Sequence, residues 1–217
     1  EALTRVHNHR TNRRGWPTTA AEASVRAARA SASLDGGSAE LPADGPVEDP
    51  VLAGSLRVAE ALGGLLSAWR SAPRQALARL HVLAAADLPG VTDDDLGRPR
   101  LDAGVGERLD ALAGLVTGGT SVPAPVLVAV IHGELLALAP FPTATGVVAR
   151  AAARLTAVAT GLDDVDDVGM VDCRGHAGFT KEALPRLRGS SEQPLDRHLL
   201  AGLDVGRAKD RAHTAVP

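Results

Sequence analysis

Apolar residues recur at three- and four-residue steps along much of the chain, which is the period of an amphipathic helix. The clearest such stripe consists of Leu52, Leu56, Ala59, Leu62, Leu66 and Trp69. Asp49 and Pro50 precede it as an N-cap residue and a first helical residue, so we expect a long helix to begin at Pro50. The chain contains no sustained alternation of apolar and polar positions, and the pattern therefore favours an all-α fold.

The other helical patterns are shorter and are separated by turn residues. They lie at residues 20–33, after Pro73, around Leu109 and Leu112, and at residues 125–138 and 147–160. For the first of them, Thr18 or Thr19 is the expected N-cap, and the Asp-Gly-Gly sequence at residues 35–37 is the expected stop. Weaker patterns predict two further helices at residues 180–187 and 192–211.

Residues 125–138 differ from the other segments because they are apolar nearly all the way round. A helix of this kind belongs in the middle of a bundle, where every face is covered. The segment at residues 147–160 presents a second buried face, formed by Ala151, Ala152, Leu155 and Val158. We therefore expect buried helices on both sides of the loop between these segments.

Composition favours helices that pack through small side chains. Hydrophobic residues make up 45% of the 217 residues but aromatic residues only 2%, so Ala, Leu and Val supply a core that lets helices approach closely. The bias toward Ala, Arg, Gly, Asp and Val is typical of a GC-rich bacterial genome. A chain of this length forms one domain, or one domain with a small extension.

Charge and cysteine content exclude several classes of function. The net charge of −3 gives no general attraction to nucleic acid or to an anionic membrane. The local exception is a basic cluster of Arg5, Arg10, Arg13 and Arg14, which is expected to be a solvated terminus. Cys173 is the only cysteine, which excludes an internal disulfide. The pattern shows no signal peptide and no spanning segment, so the chain is expected to be cytoplasmic.

The most distinctive segment is residues 139–150, which read Ala-Pro-Phe-Pro-Thr-Ala-Thr-Gly-Val-Val-Ala-Arg. It resembles the signature of the Fic (Fido) family, His-Pro-Phe-x-Asp-Gly-Asn-Gly-Arg-x-x-Arg. Pro140, Phe141, Gly146 and Arg150 stand at their signature positions. In the family this signature joins two central helices, and the buried helical patterns on either side of the loop agree with that arrangement.

The residues that perform the family's reaction are missing from the segment. The signature His is Ala139, its Asp is Thr143, its Asn is Thr145 and its first Arg is Val147. Fic proteins transfer AMP, or a related phosphate-containing group, to a hydroxyl of a target protein. The resemblance implies that the His served as general base, the Asp as Mg²⁺ ligand and the Arg as phosphate clamp. We therefore expect no catalytic residue here and no efficient transfer.

A second resemblance lies nearer the N-terminus. Fic proteins with a built-in brake carry an inhibitory helix with the pattern Ser/Thr-x-x-x-Glu-Gly/Asn, and Ser31, Asp35 and Gly36 match it with Asp in place of Glu. In the braked proteins the Glu reaches the second signature Arg and blocks the position of the γ-phosphate. The resemblance thus implies a buried ion pair between Asp35 and Arg150, with a closer helix or a bridging water because Asp is one methylene shorter.

The resemblance implies a Fic-like helical bundle with a short N-terminal helix and C-terminal helices. Its expected parts are a basic segment at residues 1–17, a core at 18–162 that includes the inhibitory-type helix at 20–36, and a C-terminal helical extension at 163–217. Active family members also carry a β-hairpin flap that holds the target peptide. Residues 97–100 mark its place here, but too few residues separate them from the next helix to build a hairpin.

Some binding capacity is expected to survive at the loop. Thr143, Ala144, Thr145 and Gly146 would place backbone N–H groups at a helix N-terminus, which is an anion site, with Arg150 one turn inside. The plainer alternative is that Thr143 or Thr145 caps the helix and that Arg150 pairs with a neighbouring carboxylate. The sequence leaves both interpretations open.

The remaining histidines show no metal-ligand spacing. His132 stands seven residues before Ala139, on the same helix face, and is expected to be a hydrogen-bonded core residue. Glu134 is either its polar counterpart or a solvent-facing residue. His176 and His198 belong to the less regular C-terminal part of the pattern. No metal site is therefore predicted.

These observations predict a catalytically degenerate Fic-like protein that acts through binding or regulation. One alternative is a nucleotidyl (AMP) transferase with altered active-site chemistry. Another is an antitoxin-like partner of a separate Fic chain, which requires an exposed, detachable helix at residues 20–33. No cofactor is expected, although residual activity would need ATP and Mg²⁺. The expected partners are a protein of unspecified kind and a nucleotide, rather than a membrane or a nucleic acid.

Overall fold

Six helices make up the part of the chain that the structure describes, and no strand occurs among those residues. The structure is a computed structural model that describes residues 10–118 and 120–162, with side chains from residue 20 onward. The helices are α1 (Arg10–Leu34), α2 (Pro50–Ser71), α3 (Pro73–Ala85), α4 (Val105–Val116), α5 (Ala124–Leu138) and α6 (Thr145–Ala159). The predicted all-α class is confirmed for these residues. The helices predicted at 180–187 and 192–211, and the extension at 163–217, lie outside them.

Helix α1 begins earlier than the sequence pattern predicts. The expected N-cap at Thr18 or its neighbour is wrong, because the helix starts at Arg10 and continues through Pro17. Pro17 has no backbone N–H and removes one hydrogen bond of the helix, which nevertheless continues through it. The expected boundary between residues 17 and 18 therefore falls inside a helix. The other end is as predicted: α1 stops at Leu34, and Gly36 follows with a left-handed φ of 84°.

Helix α2 begins at the cap that the sequence predicts. Asp49 Oδ1 accepts a hydrogen bond from the backbone N–H of Leu52 at 2.7 Å, and Pro50 is the first helical residue. The helix then packs closely on α3. A Cβ added to Gly54 would stand 2.2 Å from the carbonyl oxygen of Ala84, so the approach of these two helices depends on the missing side chain.

The central helix of the bundle is α6 rather than α5. Helix α6 packs against α1, α2, α3 and α5, whereas the main contacts of α5 are with α4 and α6. The prediction that residues 125–138 lie in the middle of the bundle is therefore wrong: one face is buried, but Val126 and Val130 are 47% and 43% exposed. Small side chains explain the difference, because Ala149 and Ala152 are fully buried in α6 and let neighbouring backbones approach.

By length and composition, α2 is the one helix among the described residues that is apolar enough to cross a membrane. A buried helix of a bundle has the same length and composition. Helix α2 packs against α1, α3 and α6, and its buried side chains include Leu52, Leu62 and Trp69.

Glu134 pairs with α4 and not with its neighbour His132. Its Oε1 accepts a hydrogen bond from Arg108 Nε at 2.6 Å. This hydrogen bond lowers the pKa of Glu134 and raises the pKa of Arg108. The pair links α4 to α5 at the surface of the bundle, where water screens its charges.

The variant Glu134→Gln is expected to change the Tm at pH 7 by less than about 2 °C, because exposed ion pairs contribute little. Since folding lowers the pKa of Glu134, even this small difference should be present near neutral pH and disappear as the pH falls through the folded-state pKa. Thermal unfolding of variant and wild type at pH 7 and pH 3 checks both points. A loss of many degrees at pH 7 would show that the pair is far more important than its exposure indicates.

Candidate functional site

The loop of residues 139–144 joins α5 to α6 and contains two left-handed residues. Ala139 has a φ of 43° and Ala144 a φ of 53°, and they are the only non-glycine residues with positive φ in the described part of the chain. This conformation costs a residue with a Cβ about 1–2 kcal/mol, so the surrounding contacts must hold it in place. Ala144 stands where the Fic signature has Gly, which adopts this conformation without steric cost.

Phe141 anchors the loop in the core. The residue is 2% exposed, and its ring stacks on His81 of α3, with centroids 4.4 Å apart and an interplanar angle of 6°. His81 is fully buried, and its Nε2 lies 3.3 Å from Thr143 Oγ1. One side chain of α3 thus fixes two residues of the loop.

The hydrogen bonds of His81 determine its tautomer. The backbone N–H of Gly97 donates to Nδ1 at 3.0 Å, so Nδ1 carries no proton and the neutral ring is protonated on Nε2. Burial lowers the pKa of His81, and the nearby charge of Asp95 opposes this more weakly. The ring is therefore neutral at pH 7, and Nε2 donates its hydrogen to Thr143 Oγ1.

Arg100 holds the end of α5 from which the loop starts. Its Nε donates to the carbonyl oxygen of Ala139 at 2.8 Å, and its Nη2 donates to that of Leu138 at 2.9 Å. These carbonyls lie at a helix C-terminus, where they lack intrahelical partners. The backbone N–H of Arg100 also donates to Pro140 O at 2.8 Å. Residues 97–100, expected to stand at the place of the Fic flap, thus contact the loop without forming a strand.

A carboxylate from the end of α1 occupies the N-terminus of α6. Asp35 Oδ2 accepts a hydrogen bond from the backbone N–H of Val147 at 3.0 Å, and Oδ1 accepts one from Arg150 Nη2 at 2.8 Å. Ser31 accepts from the same guanidinium twice, through Oγ from Nε at 2.8 Å and through its carbonyl oxygen from Nη2 at 2.9 Å. Ser31, Asp35, Arg150 and the N–H of Val147 are together termed the clasp.

The expected ion pair between Asp35 and Arg150 is confirmed, and it is direct. The two side chains are 22% and 26% exposed, so the pair is only partly buried. The shorter Asp reaches its partner because Gly146 has no side chain: a Cβ there would stand 2.2 Å from Asp35 Oδ1 and 2.9 Å from Arg150 Nη1. Gly36 contributes the left-handed residue that turns the chain directly after Asp35.

The residues predicted to bind an anion lie together around the start of α6. They are Thr143, Ala144, Thr145, Gly146 and Arg150. The threonine cap of the plainer alternative is wrong, because the N-cap residue is Ala144 and it makes no side-chain hydrogen bond. Asp35 supplies the acceptor from another helix instead. The other part of that alternative, the pairing of Arg150 with a carboxylate, is confirmed by Asp35. The position that a bound anion would take is therefore filled by the chain's own carboxylate.

Two residues that differ from the Fic signature have structural roles in this fold. Val147, in place of the first signature Arg, is 4% exposed and belongs to the hydrophobic core. Ala139, in place of the His, is the C-cap residue of α5 and has no group that accepts a proton. No three His, Cys, Asp or Glu side chains of the described residues are grouped so that they could hold a metal ion.

His132 is not the hydrogen-bonded core residue that the sequence predicts. It is only partly buried, and its buried Nε2 has no hydrogen-bond partner among the described residues. Its helix, α5, lies at the edge of the bundle instead of the centre and packs mainly against α4 and α6. The other two histidines considered, His176 and His198, lie outside the described residues.

The resemblance to Fic proteins rests on short motifs. No protein-family model matches the chain, and no curated protein and no solved structure shows significant similarity to it. The family therefore stays a prediction from residues 139–150 and from Ser31, Asp35 and Gly36.

Two residues that hold the loop are absent from the sequence prediction. His81 stands four residues after Leu77 and three before Ala84, on the buried stripe of α3, so helical periodicity does mark it as a core histidine that needs partners. Arg100 gives no such signal, because its acceptors are backbone carbonyls 38 and 39 residues further along the chain.

Proposed function

We propose that this chain is a catalytically degenerate Fic-like protein that acts through binding, and that the clasp closes its anion site. The observation that carries the proposal is the carboxylate of Asp35, which accepts a free N–H in the first turn of α6, that of Val147, and pairs with Arg150. A helix N-terminus with an arginine beside it is a site for a phosphate group. An anionic ligand has to displace the carboxylate, so binding requires the clasp to open.

The conformation of the loop supports descent from an active-site loop. Ala144 keeps a left-handed backbone at a position where the signature has Gly, and Phe141 is buried at its signature position. Such a strained conformation is expensive to retain, and strained residues concentrate at functional sites. The side chains that would move a proton or hold phosphate are gone at Ala139 and Val147.

The hypothesis of an enzyme with altered chemistry receives less support. His81 is a titratable side chain that touches the loop, but Nδ1 is engaged by Gly97 and Nε2 carries the proton. A general base has to accept a proton from its substrate, and this tautomer offers no free lone pair toward the loop. Asp35 is committed to Arg150 and to the N–H of Val147.

The antitoxin-like hypothesis requires α1 to be exposed and detachable. In this chain the helix is docked, and its buried residues include Ala20, Val25, Ala28 and Ala32. Ser31 at its end also accepts two hydrogen bonds from Arg150. A docked helix is what an intramolecular brake requires, and it therefore favours the proposal over a helix that acts on a separate chain.

The proposal predicts that the wild-type protein transfers no nucleotide. Incubation with ATP labelled on the α-phosphate, Mg²⁺ and a cell lysate is expected to label no protein above the level of a heat-denatured control, because position 139 offers no base and position 143 no carboxylate. Autoradiography of the separated proteins is the measurement. Labelling that requires the native protein would support the altered enzyme instead.

A further inference from the structure

His81 joins three segments that are distant in the sequence. Its ring lies on α3, accepts the backbone N–H of Gly97 at Nδ1, and contacts Thr143 through Nε2. Phe141 stacks on its face at 4.4 Å. Because the residue is fully buried, water cannot replace any of these contacts while the structure is closed.

Protonation of this ring turns its contact with the Gly97 N–H from attractive to repulsive. A protonated imidazole carries hydrogens on both nitrogens and accepts none. The hydrogen on Nδ1 would then face the hydrogen of the Gly97 N–H across a contact that is now 3.0 Å between nitrogens. The contact of Nε2 with Thr143 Oγ1 tolerates protonation because the hydroxyl oxygen already accepts there. The charged ring therefore repels the Gly97 segment while it keeps its bond to the loop.

The surroundings offer little to stabilise a charged ring. Asp95 is the group among the described residues whose charge acts on His81, and its own carboxylate is held by Thr92 through the backbone N–H at 2.9 Å and Oγ1 at 2.7 Å. Arg98 lies close enough to act on Asp95 as well. The loop of residues 139–144 carries no charged side chain. Burial of the ring outweighs the attraction of Asp95.

Displacement of Gly97 affects the loop through Arg100. Gly97 lies against α3, where an added Cβ would stand 3.1 Å from Val82 Cγ2 and 3.2 Å from Ala78 O. Three residues later, Arg100 binds the carbonyls of Ala139 and Pro140. A segment that leaves α3 therefore also loosens the hold of Arg100 on the start of the loop.

We propose that His81 is a pH-sensitive latch, which in its neutral form ties the Gly97 segment to α3 and on protonation releases that segment and, through Arg100, loosens the start of the loop before α6. Folding lowers the pKa of His81 below its value in the unfolded chain. The latch is therefore closed above the ordinary histidine pKa of about 6.5 and is progressively lost as the pH falls below it. Ligand access to the loop would rise in the same mildly acidic range.

Amide hydrogen exchange of the full chain tests the latch. After correction for intrinsic exchange, the rates at the N–H groups of Gly97 and Arg100 are expected to increase about threefold or more between pH 7.5 and pH 5. Over the same range, the ring resonances of His81 should titrate with a midpoint below 6.5, the ordinary value for histidine. Agreement between the midpoint of exchange and that of the ring supports the proposal.

Two variants separate the latch from general acid sensitivity. His81→Asn keeps an acceptor near the position of Nδ1 but does not titrate, so exchange at Gly97 should become independent of pH. His132→Gln removes a histidine of α5 that does not touch Gly97, and the pH dependence should remain. Persistent pH dependence in His81→Asn would overturn the proposal. If that variant does not fold, wild-type midpoints for Gly97 and the His81 ring that differ by more than one pH unit would overturn it equally.

Discussion

Replacement of Gly54 by alanine is expected to lower the free energy of unfolding by about 2–3 kcal/mol. A Cβ at this position would stand 2.2 Å from the carbonyl oxygen of Ala84 and 2.9 Å from its carbonyl carbon. Both are backbone atoms, so the clash is relieved only if α2 and α3 move apart. Such a movement opens gaps along the core that the two helices share, and this cost exceeds the gain of about 1 kcal/mol that alanine brings to a helix.

Gly64 provides a matched control on the same helix. A Cβ at this position meets no atom within 4 Å, so Gly64→Ala is expected to raise the free energy of unfolding by about 0.5–1 kcal/mol. Urea unfolding followed by circular dichroism measures both variants against the wild type. The two identical substitutions should therefore shift stability in opposite directions. Equal stability of the two variants would mean that α2 and α3 do not approach as closely as described.

Local patterns predicted the elements whose ends are set by local chemistry. The start of α2 at Pro50 follows from an N-cap side chain that bonds three residues ahead. The place of α5 in the bundle could not be predicted from its apolar pattern. A helix that is apolar on every side can still be covered on one face only, as the exposure of Val126 and Val130 shows. The close packing of Ala149 and Ala152 decides the centre instead, and small residues give no distinctive periodic signal.

The contacts of the candidate site were likewise only partly predictable from the sequence. Asp35 and Arg150 are separated by 115 residues, and their contact was predictable only because two motifs with fixed spacing pointed to each other. The role of Gly146 depends on the approach of α1, which no sequence pattern encodes. Arg100 holds the loop through backbone carbonyls of a remote segment, and backbone acceptors leave no trace in residue identity. His81 holds it through Phe141 and Thr143, and helical periodicity marks the histidine as buried without naming these partners.

The variant Asp35→Ala is expected to bind pyrophosphate about thirtyfold more tightly than the wild type. In the wild type, the carboxylate of Asp35 occupies the N–H of Val147 and the guanidinium of Arg150, and the substitution frees both groups. Two unit charges about 4 Å apart repel by about 4 kcal/mol at an effective dielectric constant of 20. Because the side chain of Asp35 is 22% exposed, water screens part of this repulsion. About 2 kcal/mol remains, which corresponds to about a thirtyfold difference in affinity. Titration calorimetry at 0.1 M salt measures the difference.

Three comparisons decide whether such a gain comes from the clasp. Asp110→Ala removes the same charge from a pair with Arg74 that joins α3 and α4, and its affinity should match the wild type. Addition of Arg150→Ala to Asp35→Ala should abolish most of the gain, because the freed cation is then missing. Loss of the carboxylate also removes an N-terminal acceptor of α6, so Asp35→Ala should be less stable by about 1 kcal/mol yet still folded. A folded Asp35→Ala protein that binds pyrophosphate no better than the wild type would exclude the anion site while leaving the clasp as a structural contact.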